Sequence, residues 1–146
     1  MQKELLRKMV DQNRMTSSYS FDRVTETNAT LRLTPTAASI GFIFRHIAET
    51  INLFSQFFGV PTDVKNTTIG KTDEGQGKDV QLSRRLIEEG FGKLYKLVET
   101  QSDEYWLGDV ETPFFGTTAR IRLFAHILFH NSHHAGQISL TLSRGA

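Results

Sequence analysis

The chain has 146 residues, 38% hydrophobic and 23% charged, with a formal net charge of +1 and no cysteine. That size suits a single domain, residues 1–146, able to bury a core of its own. Composition excludes a disulfide framework, cysteine-ligated zinc and a protein thiolate nucleophile, and the balanced charge without a Lys/Arg block argues against nucleic acid as a partner.

The first residues, Met1-Gln-Lys-Glu-Leu-Leu-Arg-Lys, lack the apolar core of a signal peptide, and no long apolar run follows. A soluble, cytoplasmic protein with no membrane partner is expected. From Gln2 to about Glu26, Leu6, Met9, Val10, Asn13, Ser17, Phe21 and Val24 recur at loose helical spacing. The weak helix formers Thr16-Ser-Ser-Tyr-Ser mark a place for an early end or a bend. After a connection over 28–33, Thr34-Pro35 reads as a helix start, with threonine as cap and proline at the first helical position. Helix two should then run to about Phe58. Ile40, Ile43, Ile47, Ile51 and Phe54 form its buried stripe, His46 lies at the edge, and Gly59-Val60-Pro61 ends it.

Residues 62–78 are polar and glycine-containing, and predict a long loop that is either a flexible crossover or an active-site lid. Asp79 is the expected cap of helix three, which ends near Thr100; Gly90 and Gly92 mark either a close helix approach or a bend. Residues 101–116 read as irregular. Their aromatic residues Tyr105, Trp106, Phe114 and Phe115 suit a cap on the end of the core or the apolar wall of a small-molecule pocket. Thr117 or Thr118 should cap helix four, which runs to about Ser143 and is apolar on nearly every side, as for a central helix or a dimer interface. No segment alternates with period two over any length. The fold class that follows is all-α, a four-helix bundle with a long crossover between helices 2 and 3. Surplus apolar surface on helices two and four predicts a homodimer.

Four of the five histidines lie in His126-Ile-Leu-Phe-His130-Asn-Ser-His133-His134. On a helix they share roughly 100° of arc, and residues four apart have Cβ atoms about 5–6 Å from one another, close enough for two imidazoles to meet on one ion. Both His126/His130 and His130/His134 have that spacing, so periodicity leaves the pair open. His46 taken alone reads first as a core histidine. Glu49 lies one turn beyond His46 and Gln137 close to one turn beyond His134. Glu49 is a candidate base or acceptor for a ligand N–H, with a solvated ion pair as the bland reading, and Gln137 is a candidate hydrogen-bond partner for substrate or water.

Ser39-Ile40-Gly41 leading to His46-Ile-Ala-Glu49, the Pro113-Phe114-Phe115-Gly116 approach, and His130-Asn-Ser-His-His134-Ala-Gly-Gln137 together resemble the DinB-like (YfiT-type) family. The resemblance covers most of the chain. It implies a four-helix bundle and a divalent metal held by His46, His130 and His134, with His126 and His133 as neighbours rather than ligands. Ala135 stands where the family usually has a basic residue. The activities implied are metal-dependent thiol transfer, thiol-dependent isomerisation and hydrolysis. The expected cofactor is a divalent ion, zinc or nickel, with a low-molecular-weight thiol as possible co-substrate for a small-molecule electrophile. The alternative is a non-catalytic structural or stress-related metal protein.

Overall fold

The computed structural model describes residues 1–146. Four long helices make the bundle: α1 (Gln2–Phe21), α2 (Ile40–Phe54, continued by a 3-10 turn over Ser55–Phe58), α3 (Val80–Thr100) and α5 (Arg120–Arg144). A short α4 (Asp103–Leu107) and a hairpin of β1 (Asp109–Thr112) and β2 (Gly116–Ala119) precede α5. The helices pack as a ring in which α2 touches α3 and α5, and α1 closes the other side against the same two. No helix is long and apolar enough to cross a membrane.

Three boundaries differ from the sequence expectation. Helix one ends at Phe21 because Thr25 and Asn28 close a turn on themselves, with the Thr25 amide donating to Asn28 Oδ1 at 2.8 Å and Asn28 Nδ2 donating to the Arg23 carbonyl at 2.8 Å. Thr34-Pro35 starts a turn, closed by Ala37 N–H to Thr34 O at 3.1 Å, rather than a helix. The same fixed φ that suits proline to a first helical position suits it to the second position of a turn. The real cap of α2 is Ser39, whose Oγ accepts the Phe42 amide at 3.3 Å. Finally, Thr117 and Thr118 belong to β2, paired with Glu111 and Val110, and α5 begins after Ala119 without a side-chain cap. Four residues per strand are too few for an alternation to stand out. Asp79 does cap α3, accepting the Leu82 amide at 2.8 Å.

α2, not the last helix, is the central element. Ile40, Phe44, Ile47, Ala48 and Ile51 are essentially without exposure, and even Arg45, Glu49 and Asn52 on other faces are buried. α3, α5 and the 62–78 crossover enclose it. α5 buries Leu123, Phe124, Ile127, Leu128, Asn131 and Ile138 along one side and leaves Phe129 and Leu140 in solvent. Trp106 inserts into the end of the core between Phe58 and Phe124, at ring-centroid distances of 5.8 and 5.2 Å. Phe114 and Phe115 stay about half exposed, so only the Trp106 part of the aromatic segment caps the core.

The crossover has no regular helix but is tied down along its length. Asp73 Oδ2 accepts the Ser39 amide at 2.8 Å and pairs with Arg32 at 3.0 Å, and Gln76 Nε2 donates to the carbonyls of Thr67 and Thr72. Near its end the loop crosses the start of α2 backbone to backbone: a Cβ on Gly77 would overlap the Gly41 carbonyl. Gly90 has a similar reason for lacking a side chain, because Ile51 of α2 occupies the space; nothing approaches Gly92 or Gly136. Close packing therefore accounts for Gly90 and not for Gly136.

Candidate metal centre

His46 projects from the edge of α2 towards α5, where one turn of helix presents His130 and His134. One ring nitrogen from each of the three lies within 4.8 Å of the others. His46 Nε2 and His130 Nε2 are 3.0 Å apart, and the His134 ring sits 4.8 Å from that of His46 and 4.4 Å from that of His130, centroid to centroid. Metal–nitrogen bonds of about 2.0–2.1 Å at tetrahedral angles would hold such nitrogens about 3.3 Å apart. The donor set therefore fits one divalent ion once the rings turn towards that separation. Three neutral nitrogens suit zinc, nickel and other borderline ions alike.

Protonation favours the ligand form. Burial, followed by the neighbouring His134, lowers the pKa of His46 to about 4, against a smaller opposing effect of Glu49. Burial and the surrounding histidines lower His130 to about 2. His134 is also lowered, by burial above all, with its bond to Gln137 acting the other way. Each charged imidazole would lose hydration and face like charge, so neutral rings prevail around pH 7.

Two of the rings are oriented from behind. His134 Nδ1–H donates to Gln137 Oε1 at 2.5 Å, leaving Nε2 as the free lone pair. His46 Nδ1 lies 3.3 Å from Thr68 Oγ1, whose own hydroxyl donates to Glu49 Oε2 at 2.6 Å. Glu49 thus reaches His46 through Thr68. Its carboxylate, 1% exposed, also accepts the Thr67 hydroxyl at 2.5 Å and the amides of Thr67 and Thr68 at 2.9 and 3.0 Å. Four donors reach the carboxylate, three on Oε2 and one on Oε1, an arrangement that holds the crossover against α2. His130 Nδ1 is buried without a partner.

Every candidate residue read from the sequence lies in or beside this cluster; His133 packs edge-on against His134 at 4.9 Å and stacks on Phe129 at 6.0 Å, but contributes no nitrogen to it. His126 packs between Phe54 and Phe115, with centroid distances of 5.8 and 4.8 Å, and burial lowers its pKa as well. Thr67 and Thr68 were not foreseen. They sit in a loop without periodicity, and no pattern in Lys65-Asn-Thr-Thr-Ile points to a partner 18 or 19 residues upstream. A separate cleft of about 390 Å³ lies against Arg45, Glu49, Lys65 and Thr67, on the α3 side, and none of the three histidines lines it.

The signature of the DinB superfamily matches residues 9–138. Among solved structures, a DinB-like protein from Bacillus cereus ATCC 10987 superposes with a TM-score of 0.80 at 14% identity, covering 98% of this chain and 93% of its own. YfiT from Bacillus subtilis, described as a probable metal-dependent hydrolase with an unusual four-helix bundle topology, gives 0.75 at 15% identity, covering 98% and 87%. The colibactin self-resistance protein ClbS, solved in complex with a dsDNA, gives 0.67 at 14% identity, covering 97% and 95%. No functionally curated protein matches the sequence significantly. The ClbS complex corrects the exclusion of nucleic acid drawn from composition, because a protein of this fold does hold duplex DNA. Net charge is a sum over the whole chain, whereas phosphate contacts need only a local surface. The superfamily signature spans nearly the whole chain and the fold agrees with it, so this protein belongs to the DinB superfamily.

Proposed function

We propose that the protein is a metal-dependent enzyme in which His46, His130 and His134 hold a divalent ion, zinc or nickel, for attack by a low-molecular-weight thiol or water on a small electrophile. The observation that carries this reading is the convergence of three neutral imidazoles with no fourth protein ligand in the cluster. Such an ion, when bound, lowers the pKa of a coordinated water or thiol towards neutrality. The chain's own part is positional. Gln137 and Thr68 set the tautomers of His134 and His46, and Glu49 fixes the loop that carries Thr68. With no cysteine in the chain, a thiol nucleophile has to arrive with a co-substrate. The description of YfiT as a probable metal-dependent hydrolase supports the water-using branch.

Thiols paired with alkylating electrophiles, and hydrolysable esters and amides, should be assayed with metal-loaded and chelated protein. Turnover is expected only with metal, rising with pH through the ionisation of the nucleophile. A panel without metal-dependent turnover would favour an ion that merely fastens α2 to α5.

A homodimer is part of the same reading, through α5 as the sequence indicated but with α1 in place of α2. α2 is buried and offers nothing. Instead Leu5 (57% exposed), Met9 (45%) and Phe129 (66%) border a groove of about 720 Å³ between α1 and α5. Phe129 stands beside that groove as a knob, so a two-fold axis can seat each Phe129 in the partner's groove. Light scattering should give a dimer mass for the wild type and a monomer mass for Phe129→Glu. A monomeric wild type at micromolar concentration refutes the arrangement.

A further inference from the structure

Successive four-residue steps along α5 lead outwards from the metal centre: His134, His130, His126, Arg122. Each step rises about 6 Å, so Arg122 stands about 12 Å along the helix from His130. Beside the outer end lies a cleft of about 180 Å³ bounded by Phe115, Thr118, Arg122, Leu123 and His126. Phe115 is 49% exposed although it packs edge-on against His126 at 4.8 Å, and Phe114, 53% exposed, stacks on Phe54 at 5.4 Å and 19°. The hairpin tip thus holds two phenylalanines in solvent next to an imidazole row that ends at the three-histidine cluster.

The guanidinium is equally uncommitted. Arg120, two residues earlier, lies over the Tyr105 ring at 4.6 Å and donates to the Tyr105 carbonyl at 3.3 Å. Arg122, an exposed residue, has no hydrogen-bond, ion-pair or aromatic partner, and it borders a cleft whose other walls are apolar at Phe115 and Leu123 and polar at Thr118 and His126. Guanidinium matches a carboxylate with two parallel hydrogen bonds, and aromatic faces favour flat apolar groups in offset or edge-on contact. The volume is below the roughly 300–1,000 Å³ of complete ligand pockets, so the cleft suits one portion of a larger molecule.

We propose that this cleft is a substrate subsite for a flat apolar group bearing a carboxylate or similar anion, which Arg122 binds while Phe115 and His126 pack on the flat face. The reactive end of the same molecule then lies at the histidine cluster, about 12 Å away along α5. This assignment rests on the metal-dependent reading for what happens at the far end, but the binding step itself needs no metal.

The probes are 2-naphthoate and its uncharged counterpart 2-naphthylmethanol, titrated by calorimetry into metal-loaded and metal-free protein. In both forms the carboxylate should bind about tenfold more tightly, the ratio that corresponds to about 1.4 kcal/mol. Arg122→Ala should erase the difference, Arg122→Lys should retain part of it, and Phe115→Ala should weaken both probes. Metal content should be the same in all three variants. Equal affinities in the wild type, an undiminished ratio in Arg122→Ala, or naphthoate binding only in the metal-loaded form would each overturn the assignment, the last by locating the carboxylate on the ion. Loss of metal-dependent turnover across the substrate panel, with probe binding intact, would instead count against the catalytic reading alone.

Discussion

Alanine at His130 or His134 is expected to abolish stoichiometric metal binding, whereas alanine at His126 or His133 should leave it intact. Each of the first two side chains supplies one of only three nitrogens in the cluster. Removing even an outer hydrogen-bond partner of a metal ligand typically costs about 10–100-fold in affinity, so removing a ligand should exceed about 100-fold. His46→Ala belongs with the first group. The check is metal analysis after dialysis, with circular dichroism to show that each variant is folded. Retention of a full equivalent by both His130→Ala and His134→Ala would remove the basis of the site. Loss in His126→Ala would move the ligand pair one turn along α5.

Chelation should lower the melting temperature by about 5–10 °C. His46 comes from α2 and its two partners from α5, so an ion bound among them joins two elements distant in sequence. Binding to the folded state alone contributes about 2.7 kcal/mol at one hundred times Kd, and for a chain near this size each kcal/mol shifts the midpoint by about 2–4 °C. Coincident melting curves at saturating metal would contradict a cross-helix link. The metal-free protein should also be acid-sensitive in a defined direction. His46 and His130 have folded pKa values of about 4 and about 2, below the usual 6.5, so the unfolded chain binds more protons. Stability from these two groups is therefore independent of pH above about 6.5 and falls as pH drops below it. Urea midpoints measured between pH 7.5 and 5 test the sign.

The four long helices and the histidine row of α5 were legible because both rest on periodic signals. Ile40, Ile47 and Ile51 mark the inner stripe of α2, and His130 and His134 keep the four-residue step of α5. Even so, spacing alone could not choose between His126 and His134, and the choice of ligands came through family resemblance. What stayed hidden depends on contacts between segments far apart in the chain. Thr34-Pro35 has the local chemistry of a helix start, and only the position of Ser39 against the Asp73 loop decides where α2 begins. The four donors of Glu49 come from Thr67 and Thr68, whose sequence surroundings are polar and featureless. The excess of apolar residues on α5 suits a central helix or a dimer interface; α2 takes the central place, and the outer side of α5 faces solvent.

The attachment of Thr67 and Thr68 to Glu49 makes the orientation of His46 depend on the backbone of the crossover. Whenever that stretch lifts away, the ring loses the oxygen behind its Nδ1, and a buried carboxylate loses all four of its donors at once. For an ion held by the proposed ligands, an open form would bind less well, and the observed dissociation constant would equal the intrinsic one divided by the closed fraction. Substitutions in residues 62–78 that never touch the ion can thus tune its retention. Amide hydrogen exchange at Thr67 and Thr68 would report the same quantity from the other side, slowing as metal is added.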